Sequence, residues 1–129
     1  MLARSDGGPN PYRLHAKLGR VMTAAATVVR HNDKLEAAYG EVSDLQQQAR
    51  TASLSDTGTW ANQNLIFVRA LQDMFPLAKT ILHGALARDE CRGAHFKPDL
   101  AMPNNDAEEP GERRRQAEQW CDRFTENTK

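Results

Sequence analysis

Along three successive stretches of this chain, apolar side chains recur at intervals of three and four, the spacing that gathers them on one face of an α-helix. Leu14, Leu18, Val21, Met22, Ala25, Val28 and Val29 make the first stripe. Asn10 is placed to accept from a free backbone N–H ahead of it. Pro11 suits the first helical position, where its missing donor is not needed. The spacing therefore predicts a first helix over residues 11–29, after an irregular leader over 1–10. Leu35, Ala38, Tyr39, Val42, Leu45 and Ala49 form a second stripe behind the capping pair Asn32-Asp33. Lys34, Glu36, Glu41, Asp44 and three glutamines supply the solvated side of that helix.

The third stretch carries two stripes. Trp60, Phe67, Leu71, Met74, Ala78, Ile81 and Ala85 lie on one, and Leu65, Val68, Phe75, Leu82 and Leu86 on the other. A helix apolar on two sides is covered on two sides, which makes it the expected central helix. Thr57 or Thr59 is the expected cap. Pro76 removes one backbone bond and crowds the carbonyl of Gln72, so a kink is expected there; the stripe resumes in phase beyond it. The first two helices come to about 20 residues, roughly 30 Å, and the third to about 30 residues, roughly 45 Å. Its last ten or so residues, with Leu82, Ala85 and Leu86, would overrun the other two and need cover from the tail.

Beyond residue 95, Pro98, Pro103 and Pro110 with Asn104-Asn105-Asp106 predict an extended stretch over 96–111. Ala117, Trp120, Cys121 and Phe124 can share one face of a short helix over 112–126. The predicted architecture is all-α: an up-down-up three-helix bundle over 11–95 with a long kinked third helix. An extended segment and a short C-terminal helix follow over 96–129.

Several function classes fall away on composition. Seventeen basic residues balance seventeen acidic ones, so no general field draws nucleic acid or an anionic membrane surface. The run Arg113-Arg114-Arg115 is flanked by Glu108, Glu109, Glu112 and Glu118, which cancel it. No stretch approaches the roughly 18 apolar residues of a membrane span, and no signal-peptide pattern opens the chain. Two cysteines are too few for a disulfide framework and suit a reducing compartment. Gly7-Gly8 lacks the flanking pattern of a phosphate loop.

Chemistry-bearing residues crowd one place. Arg88-Asp89-Glu90-Cys91-Arg92-Gly93-Ala94-His95-Phe96-Lys97-Pro98 sets several ionisable groups at the end of the third helix, with Gly93 where a helix naturally stops. Cys91 and His95 with Glu90 fall short of a zinc ligand set. A Cys91–His95 nucleophilic pair lacks an enclosing pocket and an orienting group. His15, His31 and His83 are scattered and read as surface or packing residues. No catalytic, cofactor-binding or metal-ligating residue is assigned. The bundle upstream places few charges to meet the tip, so its partners are expected outside the chain.

The same segment, continued to Asp99, resembles the R-x-E-S-R-G-A-H-[YF]-K-P-[DE] signature near the C-terminus of succinate dehydrogenase and fumarate reductase flavoprotein subunits. Asn10-Pro11-Tyr12, Leu18-Gly19, Met22-Thr23, Val28-Val29-Arg30 and Asp56-Thr57-Gly58-Thr59-Trp60-Ala61-Asn62 extend the resemblance over most of residues 5–99. Cys91 stands where that family usually has Ser, Pro76 where a helix former is common, and the tail after the signature departs from the family's acidic stretch.

The resemblance implies a helical C-terminal domain packed against the FAD-binding domain of a larger subunit. That parent interconverts succinate and fumarate, passing electrons through FAD to an iron–sulfur subunit and a quinone-linked membrane anchor. It implies domain-contact roles for Arg88, Glu90, Arg92 and His95, and no cofactor in this chain itself. The expected setting is cytoplasmic, with the parent complex peripheral on the inner membrane and no direct membrane contact by this domain. Self-association through exposed apolar surface is a further expectation. Two other readings stay open on the residues: a free-standing helical adaptor, and the same domain from an L-aspartate oxidase-like flavoprotein.

Overall fold

The structure, a computed structural model, describes residues 7–56, 58, 60–100, 115, 118 and 119. Its elements are α1 (Pro11–Ala25), α2 (Asn32–Ala49), α3 (Gln63–Ala87) and a single 3-10 turn at Pro98–Leu100. The described residues are thus an all-α bundle of three helices, with pairing between extended segments limited to two isolated bridges. The predicted helix over 112–126, with Ala117, Trp120, Cys121 and Phe124, lies outside the described residues, as do Thr57 and Thr59. Residues 115, 118 and 119 are helical.

Each helix begins or ends where a side chain takes up backbone groups that helical bonding leaves over. Asn10 accepts from Tyr12 N–H at 2.9 Å, with Pro11 at the first position of α1. α1 stops at Ala25, four residues before the predicted end. The run Thr27-Val28-Val29 is β-branched and favours extended backbone. Arg30 then fixes the exit, because its guanidinium donates to the carbonyls of Thr27 (2.7 Å) and Ala26 (3.1 Å). Val28 and Val29 are therefore half exposed and outside the helix.

His31, not the Asn32-Asp33 pair, occupies the N-cap of α2, and it makes no side-chain capping bond. Asn62 caps α3, accepting from Leu65 N–H at 2.8 Å while its amide donates to the carbonyls of Asp56 and Gly58. Trp60 consequently precedes the helix and is almost fully exposed. α3 continues through Pro76 without a break, but ends at Ala87 and not near Gly93.

The packing order also differs from expectation. α2 is the helix that both others pack against, and α1 touches α3 little. Leu35, Val42 and Leu45 of α2 are completely buried, together with Phe75 and Leu82 of α3. The buried face of α3 is Val68, Leu71, Phe75, Ala78, Leu82 and Ala85. These come alternately from both predicted stripes, since a three-four alternation drawn along one line is itself one face. Ile66, Met74, Leu77 and Ile81 lie on the remaining apolar surface of α3 and are exposed. Leu82 and Ala85, expected to overhang, belong to the common core.

α1 and α3 meet near their N-terminal ends, where Tyr12 stacks on Phe67 (ring centres 4.5 Å apart) and donates its hydroxyl to Asn64. The leader is docked rather than loose from Gly8 onward: Ser53 donates to the carbonyls of Pro9 and Gly8. A Cβ on Gly8 would stand 2.1 Å from the Thr51 carbonyl oxygen, so only glycine fits that approach.

The one-sided burial of α3 yields a direct comparison. Phe75→Ala removes a fully enclosed ring and is expected to cost about 3–5 kcal/mol of stability. Leu77→Ala, on the exposed side of the same helix, is expected to change stability by no more than about 0.5 kcal/mol. Denaturant melts of the two variants measure the difference, and equal losses would contradict this packing.

Candidate functional site

An up-down-up bundle brings the C-terminal ends of α1 and α3 to the same end as the start of α2. Helix C-termini carry partial negative charge on their last carbonyls. Neither α1 nor α3 has a basic residue in its last turn. The neutralising cations come instead from residues just beyond each helix, Arg30 after α1 and Lys97 after α3.

The chain turns back to deliver Lys97. Arg92 and His95 exchange backbone bonds (3.0 and 3.1 Å) around the two-residue turn Gly93-Ala94. Gly93 has φ +61° and is the first of the two central residues, where a hairpin turn of this kind needs glycine. The glycine thus makes a hairpin after the helix and not the helix stop. Phe96 then pairs in parallel with Val29: Arg30 N–H donates to Phe96 O at 2.8 Å, and Phe96 N–H to Val28 O at 3.1 Å.

This hairpin buries two polar side chains. Lys97 is 2% exposed, and its ammonium donates to the Leu86 carbonyl (3.1 Å) and to Asp89 Oδ1 (3.0 Å). His95 is 3% exposed. Its Nδ1 lies 2.6 Å from the Arg30 guanidinium and its Nε2 3.0 Å from the Arg88 carbonyl. Arginine can only donate, so Nδ1 accepts and Nε2 carries the proton given to Arg88 O. Burial lowers the His95 pKa from its ordinary value; the Arg88 carbonyl opposes this, and the charges of Arg30, Arg88 and Lys97 reinforce it. The imidazole is therefore held neutral.

The remaining charges of the segment lie nearer the surface. Arg88 pairs with Glu90, which lowers the Glu90 pKa chiefly through that bond; desolvation opposes this, and the charges of Arg88 and Arg92 reinforce it. Arg92 is different. Its side chain is 78% exposed and its guanidinium comes no closer than 3.8 Å to Glu90 Oε1.

The expectation that the tip must find its partners outside the chain is thus overturned for most of it. Arg88, Glu90 and His95 are paired within the fold, and only Arg92 is held loosely. Sequence reasoning missed Lys97 and Arg30 as the residues that satisfy the helix ends. The signal was available in the absence of basic residues from both last turns. Cys91 exchanges bonds with the Lys97 backbone (Sγ to Lys97 O, 3.1 Å; Lys97 N–H to Sγ, 3.3 Å) and not with His95. Both His95 nitrogens are committed elsewhere, so the geometry joins Cys91 and His95 neither as a nucleophile–base pair nor as metal ligands.

A cavity of about 110 Å³ opens beside the tip, lined by Arg30, Asn32, Asp89, Lys97 and Leu100. That is well below the roughly 300–1,000 Å³ of ordinary ligand pockets. A larger, open hollow of about 570 Å³ is lined by Gly8, Pro9, Asn10, Arg13, Leu14, Lys17 and Gln48. No described helix is long and apolar enough to cross a membrane.

Comparison with known proteins places this arrangement. A family model described as "Fumarate reductase flavoprotein C-term" matches residues 15–126. The succinate dehydrogenase flavoprotein subunit of Bacillus subtilis (strain 168) is 45% identical over 101 residues, covering 78% of this chain and 17% of the relative. A fumarate reductase flavoprotein subunit of Mycobacterium tuberculosis is 31% identical over 103 residues, 80% of this chain and again 17% of the relative. The chain therefore spans about a sixth of the length of these relatives. In fold, it is similar to a chain of the Mycobacterium smegmatis Sdh1 complex in the apo form, with a TM-score of 0.70 at 22% identity over 76% of this chain and 16% of that one.

The neutral, enclosed His95 gives a signed pH dependence. Its folded pKa lies below the ordinary 6.5, so on acidification the unfolded chain takes up that proton first. The stability it contributes is full above about pH 6.5 and is lost as pH falls from there toward the folded value. The melting temperature is expected to drop between pH 7.5 and 5. His95→Gln is expected to melt lower at pH 7.5 but with a flatter pH profile, and an unchanged slope would exclude His95 as the cause. Glu90 acts in a separate window, below 4.5.

Proposed function

This chain belongs to the fumarate reductase flavoprotein C-terminal family, and from that premise we propose that it serves as the structural C-terminal domain of a succinate dehydrogenase or fumarate reductase flavoprotein subunit. The parent would carry FAD in a domain outside this chain and interconvert succinate and fumarate. An iron–sulfur subunit would receive or supply the electrons, and a membrane anchor would hold the complex at the cytoplasmic face. The observation that carries the reading is the 45% identity to a succinate dehydrogenase flavoprotein subunit over 101 residues.

In that role the domain is a brace. Two features equip it to meet a neighbour. The exposed apolar side of α3, with Ile66, Met74, Leu77 and Ile81, is surface that a second domain would cover. At the tip, Arg88, Glu90 and His95 lock the hairpin that presents Arg92 outward, so the domain contact falls chiefly to Arg92 while the other three position it. In isolation the same apolar side would favour self-association.

A chimera tests the assignment. Replacing the matching 101 residues of the Bacillus subtilis subunit with those of this chain is expected to leave flavin content and succinate oxidation intact. The isolated chain mixed with FAD and succinate is expected to bind no flavin and turn nothing over. A chimera that folds and assembles but fails to retain flavin would count against the reading. Arg92→Ala separates contact from folding: melting of the isolated chain is expected to shift by no more than about 0.5 kcal/mol, while the chimera loses stability measurably. Equal losses in both would assign Arg92 an internal role instead.

A further inference from the structure

The cavity beside the tip is lined by two cationic side chains whose N–H groups outnumber the acceptors the described residues give them. The Lys97 ammonium has three N–H groups and uses two, on Leu86 O and Asp89. Arg30 has five and uses three, on Thr27 O, Ala26 O and His95. Both side chains line the same hollow of about 110 Å³, and Lys97 is 2% exposed. Among the described lining residues the one acidic group is Asp89, which is already engaged by Lys97. Asn32, the first residue of α2, completes the polar lining. The amides of that first helical turn add positive potential of their own.

From this geometry we infer that the cavity is a receptor for one carboxylate group. Among the described lining residues, two cations and one carboxylate leave a single positive charge, which matches a monoanion. The size also suits a group of a few atoms and excludes a nucleotide. The carrier of the carboxylate is either a free small acid or an acidic side chain of the neighbouring flavoprotein body. Binding by the isolated chain does not depend on parentage; only the second carrier rests on the proposed function.

Sodium acetate is the probe. Titrating the isotopically labelled chain at pH 7.5 and constant ionic strength, with sodium chloride as control, is expected to give saturable resonance shifts at Arg30, Asn32, Lys97 and Leu100. Lys17 and Glu41, an exposed pair between α1 and α2, serve as the unresponsive reference. Asp89→Asn removes the competing charge and is expected to tighten acetate binding about tenfold. Because the Asp89 side chain is 56% exposed, that variant tests the site even where Lys97→Met does not fold; a folded Lys97→Met is expected to abolish saturation. Non-saturating shifts, an equal response to chloride, tighter binding of inorganic phosphate, or no gain in Asp89→Asn would each overturn the inference. In the chimera, acetate that no longer binds identifies a side chain of the flavoprotein body as the carrier, whereas acetate that still binds identifies a free acid.

Discussion

Two helix C-termini meet at one end of this bundle, and the fold depends on the cations that neutralise them. The last carbonyls of α1 and α3 would repel each other and lie partly buried without acceptor-satisfying donors. Arg30 serves the first, on Ala26 and Thr27, and Lys97 the second, on Leu86. Their placement outside the helices explains the backbone between: a β-branched exit from α1, a glycine turn after α3, and a parallel bridge between the two strands of chain that carry them. Removing the donor of such a contact leaves a helix-end carbonyl unpaired, which ordinarily costs about 1–3 kcal/mol.

Neutral His95 is the joint between the two cations. Protonated, it would offer Arg30 a second donor where an acceptor is needed. Held neutral, it accepts from Arg30 on one side and donates to the Arg88 carbonyl on the other. The charged residues of the segment therefore divide by direction. Arg30, His95 and Lys97 face inward and satisfy backbone. Arg88 and Glu90 satisfy one another at the surface. Arg92 remains exposed, held to Glu90 only at 3.8 Å.

Element existence was legible from the sequence because it depends on apolar period, and all three helices lie where the period predicts. Their ends were less so. The stripe of the first helix ran on to Val29 because Val28 and Val29 keep the spacing, yet β-branching and Arg30 end the helix at Ala25. Trp60 likewise matched the third stripe, but Asn62 caps two residues later and leaves the indole outside. The two stripes of the third helix were read as two covered sides; the structure covers one side and takes residues from both. At the tip, the residue types were visible and their pairing was not. An excess of charge in eight positions says nothing about which groups a hairpin will fold back, since that depends on the φ of Gly93.

A helix apolar on two sides and covered on one has a consequence for how such a domain works. Phe75 and Leu82 anchor α3 to α2 on the buried side, so the opposite side is presented on a rigid backbone that Pro76 does not interrupt. Apolar surface held in a fixed shape binds a neighbour with little further ordering cost. The tip adds direction, because the hairpin is locked by buried hydrogen bonds before any partner arrives. The internal charges of the tip are thus used in holding the end of the bundle closed, while Arg92 and the exposed side of α3 are left facing outward.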